Sequence, residues 1–144
     1  MSGKRPALLV DWSARDLSDA IRRRELSCVD VVRAHLDRVD ALDGAYHALI
    51  SRRSRDDVLA EAAERDLELD RGFWRGWMHG LPHAVKDLAT VRGIPTTSGF
   101  RSPSDAPVAT HDDPFVARIR ACGAVFIGKT NTPEFGLGSH TYNA

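Results

Sequence analysis

The feature that most constrains the fold is the segment HDDPFVARIRACGAVFIGKT, residues 111–130. Asp113 followed by Pro114 is typical of a helix start, and Gly123 is typical of a helix end. The run AVFI comes next, and its consecutive apolar side chains predict a strand buried on both faces, as in the interior of a parallel sheet. LPHAVK, residues 81–86, predicts an earlier strand. The order strand, helix, strand indicates a right-handed crossover unit and an α/β fold.

Three further helices are predicted upstream of this unit. Ser13 and Ser27 each stand three residues before an aspartate and in front of an apolar run, which is the pattern of a capped helix start. The dipeptide DG at residues 43–44 predicts the end of the second helix, and RDDVLAEAAERDLELD, residues 55–70, predicts the third. Between them, AYHALIS predicts a short strand or an extended link. The expected buried stripes are Leu17, Ala20 and Ile21 in the first helix, Val29, Val32, Leu36 and Val39 in the second, Leu59, Ala63 and Leu67 in the third, and Phe115, Ile119 and Cys122 in the last.

The bulk composition limits the classes of function. The chain has 144 residues, the size of one typical domain, with an apolar content of 42% and a charged content of 28%. Twenty cationic and twenty anionic side chains give no electrostatic case for nucleic acid or an anionic membrane as a partner. No run approaches transmembrane length, and the first residues become charged too early for a signal peptide. Cys28 and Cys122 show no metal-ligand spacing, so we expect reduced thiols and a cytoplasmic location.

The stretch GAVFIGKT, residues 123–130, satisfies the written pattern of a phosphate-binding P-loop, but its surroundings argue against one. A P-loop needs a strand before the first glycine and a flexible loop between the glycines. Here a helix precedes the first glycine and the intervening residues are strong strand formers, so we do not expect nucleotide binding. Metal binding is not expected either, because the glycine and proline between His79 and His83 prevent the helix that would align the two imidazoles.

Residues 71–80, RGFWRGWMHG, predict a loop rich in glycine and tryptophan. Its aromatic residues are Phe73, Trp74 and Trp77. They either pack the loop onto the rest of the domain or form part of a substrate pocket or partner surface, and the sequence leaves both interpretations open.

One lysine draws attention at the carboxyl end of the predicted strand LPHAVK. The chain uses arginine for nearly every positive charge and has lysine at only three positions, two of them Lys86 and Lys129. Lysine, unlike arginine, can lose its proton in a protein, and it acts as a base only in the neutral form, which apolar neighbours such as Ala84 and Val85 favour. Ligands gather at the carboxyl ends of strands in such sheets, where both lysines are expected. The alternative is a strand-end lysine whose ammonium lies in solvent or pairs with Asp87.

Two motifs resemble the amidase signature family. GLPHAVKDLATVRGIPTTSG, residues 80–99, is similar to the family's lysine segment, and GAVFIGKTNTPEFGLGSHTYN, residues 123–143, is similar to the segment that follows it. The helical opening LSCVDVVRAHLDRVDALDGAYHALI also resembles the start of these enzymes. The resemblance implies the N-terminal part of the family's α/β/α sandwich, with helices followed by a strand-helix-strand unit of a mixed sheet. We expect residues 1–144 to form a single, incomplete amidase-type domain, with a helical region over 1–70 and an α/β core segment carrying the lysine motif over 71–144.

The resemblance also implies a chemistry, the hydrolysis or transfer of a carboxamide by a serine–serine–lysine triad in which Lys86 is the lysine. In that mechanism a nucleophilic serine attacks the amide carbonyl, a second serine relays its proton toward the lysine, and main-chain N–H groups stabilise the oxyanion. Lys129, Thr130 and Asn131 match the family's GKTN loop and are expected to line the pocket or to support it structurally. The expected substrate is a small-molecule amide, and the family uses neither a metal nor an organic cofactor.

The glycine- and serine-rich segment that supplies both serines in the family is absent from residues 1–144. Ser98, Thr130 and Ser139 are the nearest hydroxyl side chains, and none of them matches a triad serine. The chain is therefore either the lysine-bearing part of an amidase, inactive on its own, or a non-catalytic remnant or binding module that pairs with another polypeptide. An unpaired sheet edge is expected to favour a homo-oligomer.

Overall fold

A computed structural model of the chain describes residues 7–141. Within this range the chain forms four α-helices, three β-strands and two 3₁₀ turns. In chain order these are a 3₁₀ turn at Leu9–Asp11, α1 at Ala14–Arg22, α2 at Cys28–Tyr46, β1 at Leu49–Ile50, α3 at Arg55–Asp70, β2 at Pro82–Lys86, α4 at Pro114–Ala121, β3 at Val125–Thr130 and a second 3₁₀ turn at Glu134–Gly136.

The three strands form one mixed sheet in the order β1-β3-β2. The central strand β3 pairs in parallel with β2 and antiparallel with β1. Five of the six residues of β3 are buried, which confirms the expectation of a strand that is apolar on both faces. Because the residues between the two glycines of GAVFIGKT belong to this strand, their N–H groups face a sheet and not a phosphate cradle. Among residues 7–141, β2 has no partner strand on its outer edge.

Helices pack on both faces of this sheet. Val125 and Ile127 of β3 belong to a core cluster shared with α1, α2 and α3. Phe126 points the other way and packs with Val85 of β2 and Val116 of α4. This alternation between successive residues is that of a strand between two layers. The α/β class and the layered arrangement expected from the sequence are confirmed.

A bulge interrupts the alternation of β3. His83 is opposite Phe126 and Ala84 is opposite Gly128, so Ile127 has no Cα partner on β2. Beyond this extra residue, Val85 is opposite Lys129. Residues paired across a sheet share a face, so the bulge moves the side chain of Lys129 to the face that holds Phe126.

The starts of α1, α2 and α3 are determined by local sequence. The hydroxyls of Ser13, Ser27 and Ser54 each accept a hydrogen bond from the main-chain N–H three residues later. In every case that later residue is an aspartate in the first helical turn, whose negative charge also favours the helix N-terminus. The predicted starts at Ser13 and Ser27 are confirmed, and α3 has the predicted bounds of 55–70.

The predicted end of α2 is wrong. The helix continues through Gly44 to Tyr46 and ends where His47 adopts a left-handed conformation with φ 48°. The carboxylate of Asp43 accepts hydrogen bonds from the main-chain N–H groups of residues 48 and 49, beyond the helix end. Asp43 and Gly44 therefore lie within the last turn of α2 and do not form a turn of their own.

Two of the predicted buried stripes are also wrong. In α3 the buried residues are Val58 and Ala62, whereas Leu67 is 52% exposed. In α4 Val116 is fully buried and Phe115 is 48% exposed. In both helices two neighbouring faces carry apolar residues at helical spacing, so the periodicity alone does not select the face that packs against the sheet and α2.

Candidate active site

Lys86 is the last residue of β2, and its Cα is paired with that of Thr130 on the central strand. Its side chain is exposed. Within residues 7–141 its amine has no ion pair and no hydrogen bond. Lys86 thus lies at the carboxyl end of the strand, as predicted, but the described part of the chain does not surround it with apolar groups.

The carboxylate of Asp87 turns away from Lys86 and binds Lys129. Lys129 Nζ lies 3.0 Å from Asp87 Oδ1, and both side chains are fully buried. The same amine donates to Thr96 Oγ1 at 3.0 Å. A buried charge is costly unless it is paired, so each residue of this pair requires the other. The interpretation in which Asp87 pairs with Lys86 is therefore wrong.

Asp87 also holds the turn formed by residues 96–99. Its carboxylate accepts hydrogen bonds from both the main-chain N–H and the hydroxyl of Thr97. Its main-chain carbonyl accepts from Ser98 N at 3.1 Å, and its N–H donates to Thr130 O at 3.0 Å. One residue thus joins the end of β2, the turn and the end of β3.

The turn depends on two residues with left-handed backbones, Ser98 at φ 56° and Gly99 at φ 66°. A Cβ on Gly99 would lie 2.4 Å from Thr132 O, which is far inside van der Waals contact. Phe135 N donates to Ser98 O at 2.7 Å, so the 131–136 segment packs onto the turn. The predicted role of Ser98 as a turn residue is confirmed.

The other residues of the GKTN match have separate positions. Thr130 is partly buried at the end of β3. Asn131 bonds the chain after α2: its N–H donates to Ala48 O at 2.8 Å and its Nδ2 to His47 O at 3.1 Å. Asn131 also lines a groove of about 300 Å³ together with the turn, which contributes Thr97, Gly99 and Phe100.

The described chain contains no hydroxyl that bonds the Lys86 amine. Ser98 is held in the turn through its main chain. Ser139 is exposed, and its hydroxyl lies 2.9 Å from His140 Nδ1. Neither serine is placed as a nucleophile or relay for Lys86.

The sequence matches a known family over most of its length. Residues 30–144 fit the family model named Amidase. The chain belongs to the amidase signature family.

Three relatives of this amidase chain give the extent of the match. It is 39% identical over 133 residues to a glutamyl-tRNA(Gln) amidotransferase subunit of Salinispora tropica, which covers 92% of this chain and 27% of the relative. It is 36% identical over 131 residues to an acylamidase of Rhodococcus erythropolis, which covers 91% of this chain and 27% of that enzyme. The native peptide amidase of Stenotrophomonas maltophilia has a TM-score of 0.79 at 34% identity, over 90% of this chain and 26% of that structure. The chain thus spans about a quarter of the length of these relatives.

The sequence does not indicate the two most connected residues of this amidase site. Its patterns point to Asp87 only as a partner for Lys86, and they do not single out Thr96. One signal is present: the chain uses arginine so consistently that a second lysine beside a strand end suggests a compact buried ammonium, for which a guanidinium would be too large.

The two histidines beside β2 have structural surroundings. His79 is fully buried and stacks on Trp74 with ring centroids 5.0 Å apart. Its Nδ1 accepts from Arg75 N and its Nε2 lies 2.9 Å from Arg65 O, which requires the neutral ring with the proton on Nε2. Burial lowers the pKa of His79, and burial alone lowers the pKa of His83. No group of three or more potential metal ligands occurs within residues 7–141.

The aromatic loop at residues 71–80 is only partly packed. Trp74 contacts the core cluster below α3. Phe73 and Trp77 are 55% and 61% exposed, so packing down of the loop is wrong for two of its three aromatic residues. In the described part of the amidase chain, no helix is both long enough and apolar enough to cross a membrane.

Proposed function

We propose that this chain supplies the lysine of an amidase-type reaction that cleaves the C–N bond of a small-molecule carboxamide. The observation that supports the proposal is the state of Lys86. It ends a strand beside the centre of the sheet, with an amine free of ion pairs within residues 7–141. The adjacent carboxylate of Asp87 is already occupied by Lys129. Such an amine is available to exchange a proton with a hydroxyl brought next to it.

The proposed chemistry is the serine–serine–lysine sequence. Lys86, in its neutral form, accepts a proton from one serine hydroxyl, which in turn takes the proton of the nucleophilic serine as that oxygen attacks the amide carbon. Collapse of the tetrahedral intermediate breaks the C–N bond, and the proton returns through the same relay to the leaving amine. The acyl-enzyme is then hydrolysed by water, or its acyl group is transferred to another acceptor.

Because neither Ser98 nor Ser139 is placed for this relay, we propose that residues 1–144 alone do not hydrolyse amides. The test is a panel of simple aliphatic, aryl and peptide amides incubated with the purified chain, with ammonia or amine release as the readout. We expect release at the level of a buffer blank. Turnover that is abolished by Lys86→Ala would contradict the dependence on other serines.

The role of Lys86 is tested in a chimera. Residues 10–141 replace the matching quarter of the Rhodococcus erythropolis acylamidase, and amide turnover is compared among wild type, Lys86→Ala and Lys86→Arg. Both variants are expected to lose activity by several orders of magnitude, because arginine keeps the charge but cannot become the base. Since the Lys86 side chain is exposed, Lys86→Ala is expected to change the unfolding free energy of the 144-residue chain by less than about 0.5 kcal/mol. Full activity of either variant in a folded chimera would remove Lys86 from the mechanism.

The open edge of β2 supports a second candidate function, a non-catalytic module that pairs with another polypeptide or with a second copy of itself. The two functions predict different behaviour in light scattering coupled to size exclusion. A binding module without a partner is expected to be a monodisperse monomer or dimer. An incomplete amidase sheet is expected to give concentration-dependent higher assemblies that the remainder of the enzyme, added in trans, dissolves.

A further inference from the structure

The buried charges next to Lys86 form a closed arrangement. Lys129 gives its two described bonds to Asp87 and Thr96, and Asp87 accepts from Lys129 and from Thr97. Both charged side chains are fully buried, so water does not screen or replace either partner. The pair is one residue from Lys86 along the chain and is on the opposite face of β2, with Val85.

The pair carries two physical consequences for Lys86. Mechanically, Asp87 ties the end of β2 to the 96–99 turn and to Thr130, which fixes the main chain from which the Lys86 side chain leaves. Electrostatically, Lys129 compensates a carboxylate that would otherwise be the nearest charge to the Lys86 amine and would favour its protonated form. Neither consequence requires direct contact with Lys86.

We propose that Asp87 and Lys129 are positioning residues for Lys86, which hold the end of β2 in place and keep the neighbouring carboxylate from stabilising the Lys86 ammonium. This inference rests on the proposed function, because it explains how a base is prepared at that position. It assigns Lys129 a charge-balancing role in place of a pocket-lining one.

The test uses the 144-residue chain and acetylation by sulfo-N-hydroxysuccinimide acetate at pH 7.5, with the extent at Lys86 followed by mass spectrometry. Only the neutral amine reacts, and with three lysines in the chain the Lys86 peptide is readily distinguished. We expect Lys129→Met to slow acetylation of Lys86 about two- to fivefold, because the carboxylate becomes uncompensated. Asp87→Asn is expected to accelerate it by a similar factor. The double variant Asp87→Asn/Lys129→Met is expected to return the rate to that of wild type.

A control separates charge from structure. Thr96→Val removes a neutral partner of Lys129 at 3.0 Å and leaves both charges in place. It is expected to lower the urea midpoint and leave the Lys86 acetylation rate unchanged. The mechanical part is read from the same urea midpoints, since the double variant is expected to lose less than the sum of the two single losses.

Every outcome decides the proposal. Equal Lys86 rates in the folded variants, or additive losses of stability, would overturn it. If either single variant fails to fold, the double variant must fold and react at the wild-type rate, and its failure to do either also refutes the pairing. Neither readout uses amide turnover, so an active Lys86→Ala chimera would refute the proposed function without changing these rates, and the reverse also holds.

Discussion

Gly99→Ala tests whether the turn beside Lys86 is held by close packing. Two costs arise from the structure. An alanine at φ 66° pays roughly 1–2 kcal/mol for the left-handed backbone. Its Cβ would also lie 2.4 Å from Thr132 O and 2.9 Å from the main chain of Pro133, so the main chain must shift, at a further cost of roughly 1–3 kcal/mol. The expected loss of unfolding free energy is therefore about 2–5 kcal/mol.

Gly93→Ala is the matched control for this prediction. Gly93 has φ 85°, and a Cβ there would have no neighbour within 4 Å, so only the backbone cost of roughly 1–2 kcal/mol remains. The assay is equilibrium urea unfolding of the 144-residue chain, followed by far-ultraviolet circular dichroism and tryptophan fluorescence. The difference between the two variants isolates the contact with the 132–133 main chain. If Gly99→Ala costs no more than Gly93→Ala, the turn is not packed as described and the argument from the close approach fails.

Two further measurements test buried groups. Burial lowers the pKa of His79 below its unfolded value, so its contribution to stability is complete above about pH 6.5 and is lost as pH falls below that. The urea midpoint is expected to drop between pH 7.5 and 5, and His79→Gln to flatten this slope without abolishing it, because the pKa of His83 is lowered as well; an equal slope in His79→Gln and in the exposed-site control His111→Gln would contradict this. Burial also raises the pKa of the Cys28 thiol, so Ellman's reagent is expected to titrate only the partly exposed Cys122 in the native chain and both thiols in urea; rapid native reaction of both would contradict the packing of Cys28.

The helix starts were predictable because their causes are local. A serine followed three residues later by an aspartate satisfies main-chain N–H groups within one turn, and Ser13, Ser27 and Ser54 all do this. The apolar run of β3 was predictable for a similar reason, since no other element buries consecutive side chains on both faces.

The faces of the helices were not predictable from the same patterns. The pairs Val58 and Ala62, and Leu59 and Ala63, have identical spacing and differ by one residue along α3. Contact with α2 and β3 selected the first pair, and this selection depends on shapes that lie far away in the sequence. The end of α2 likewise depended on the bonds that Asp43 makes beyond the helix.

For the candidate site, the sequence by itself determined that Lys86 ends a strand and that a second lysine ends the neighbouring one. Only the tertiary structure decided which charge each of them meets. The bulge at Ile127 moved Lys129 onto the face of Val85, where the buried carboxylate of Asp87 lies. A single extra residue in one strand reverses the direction of every later side chain, and no alternation of apolar and polar letters records it.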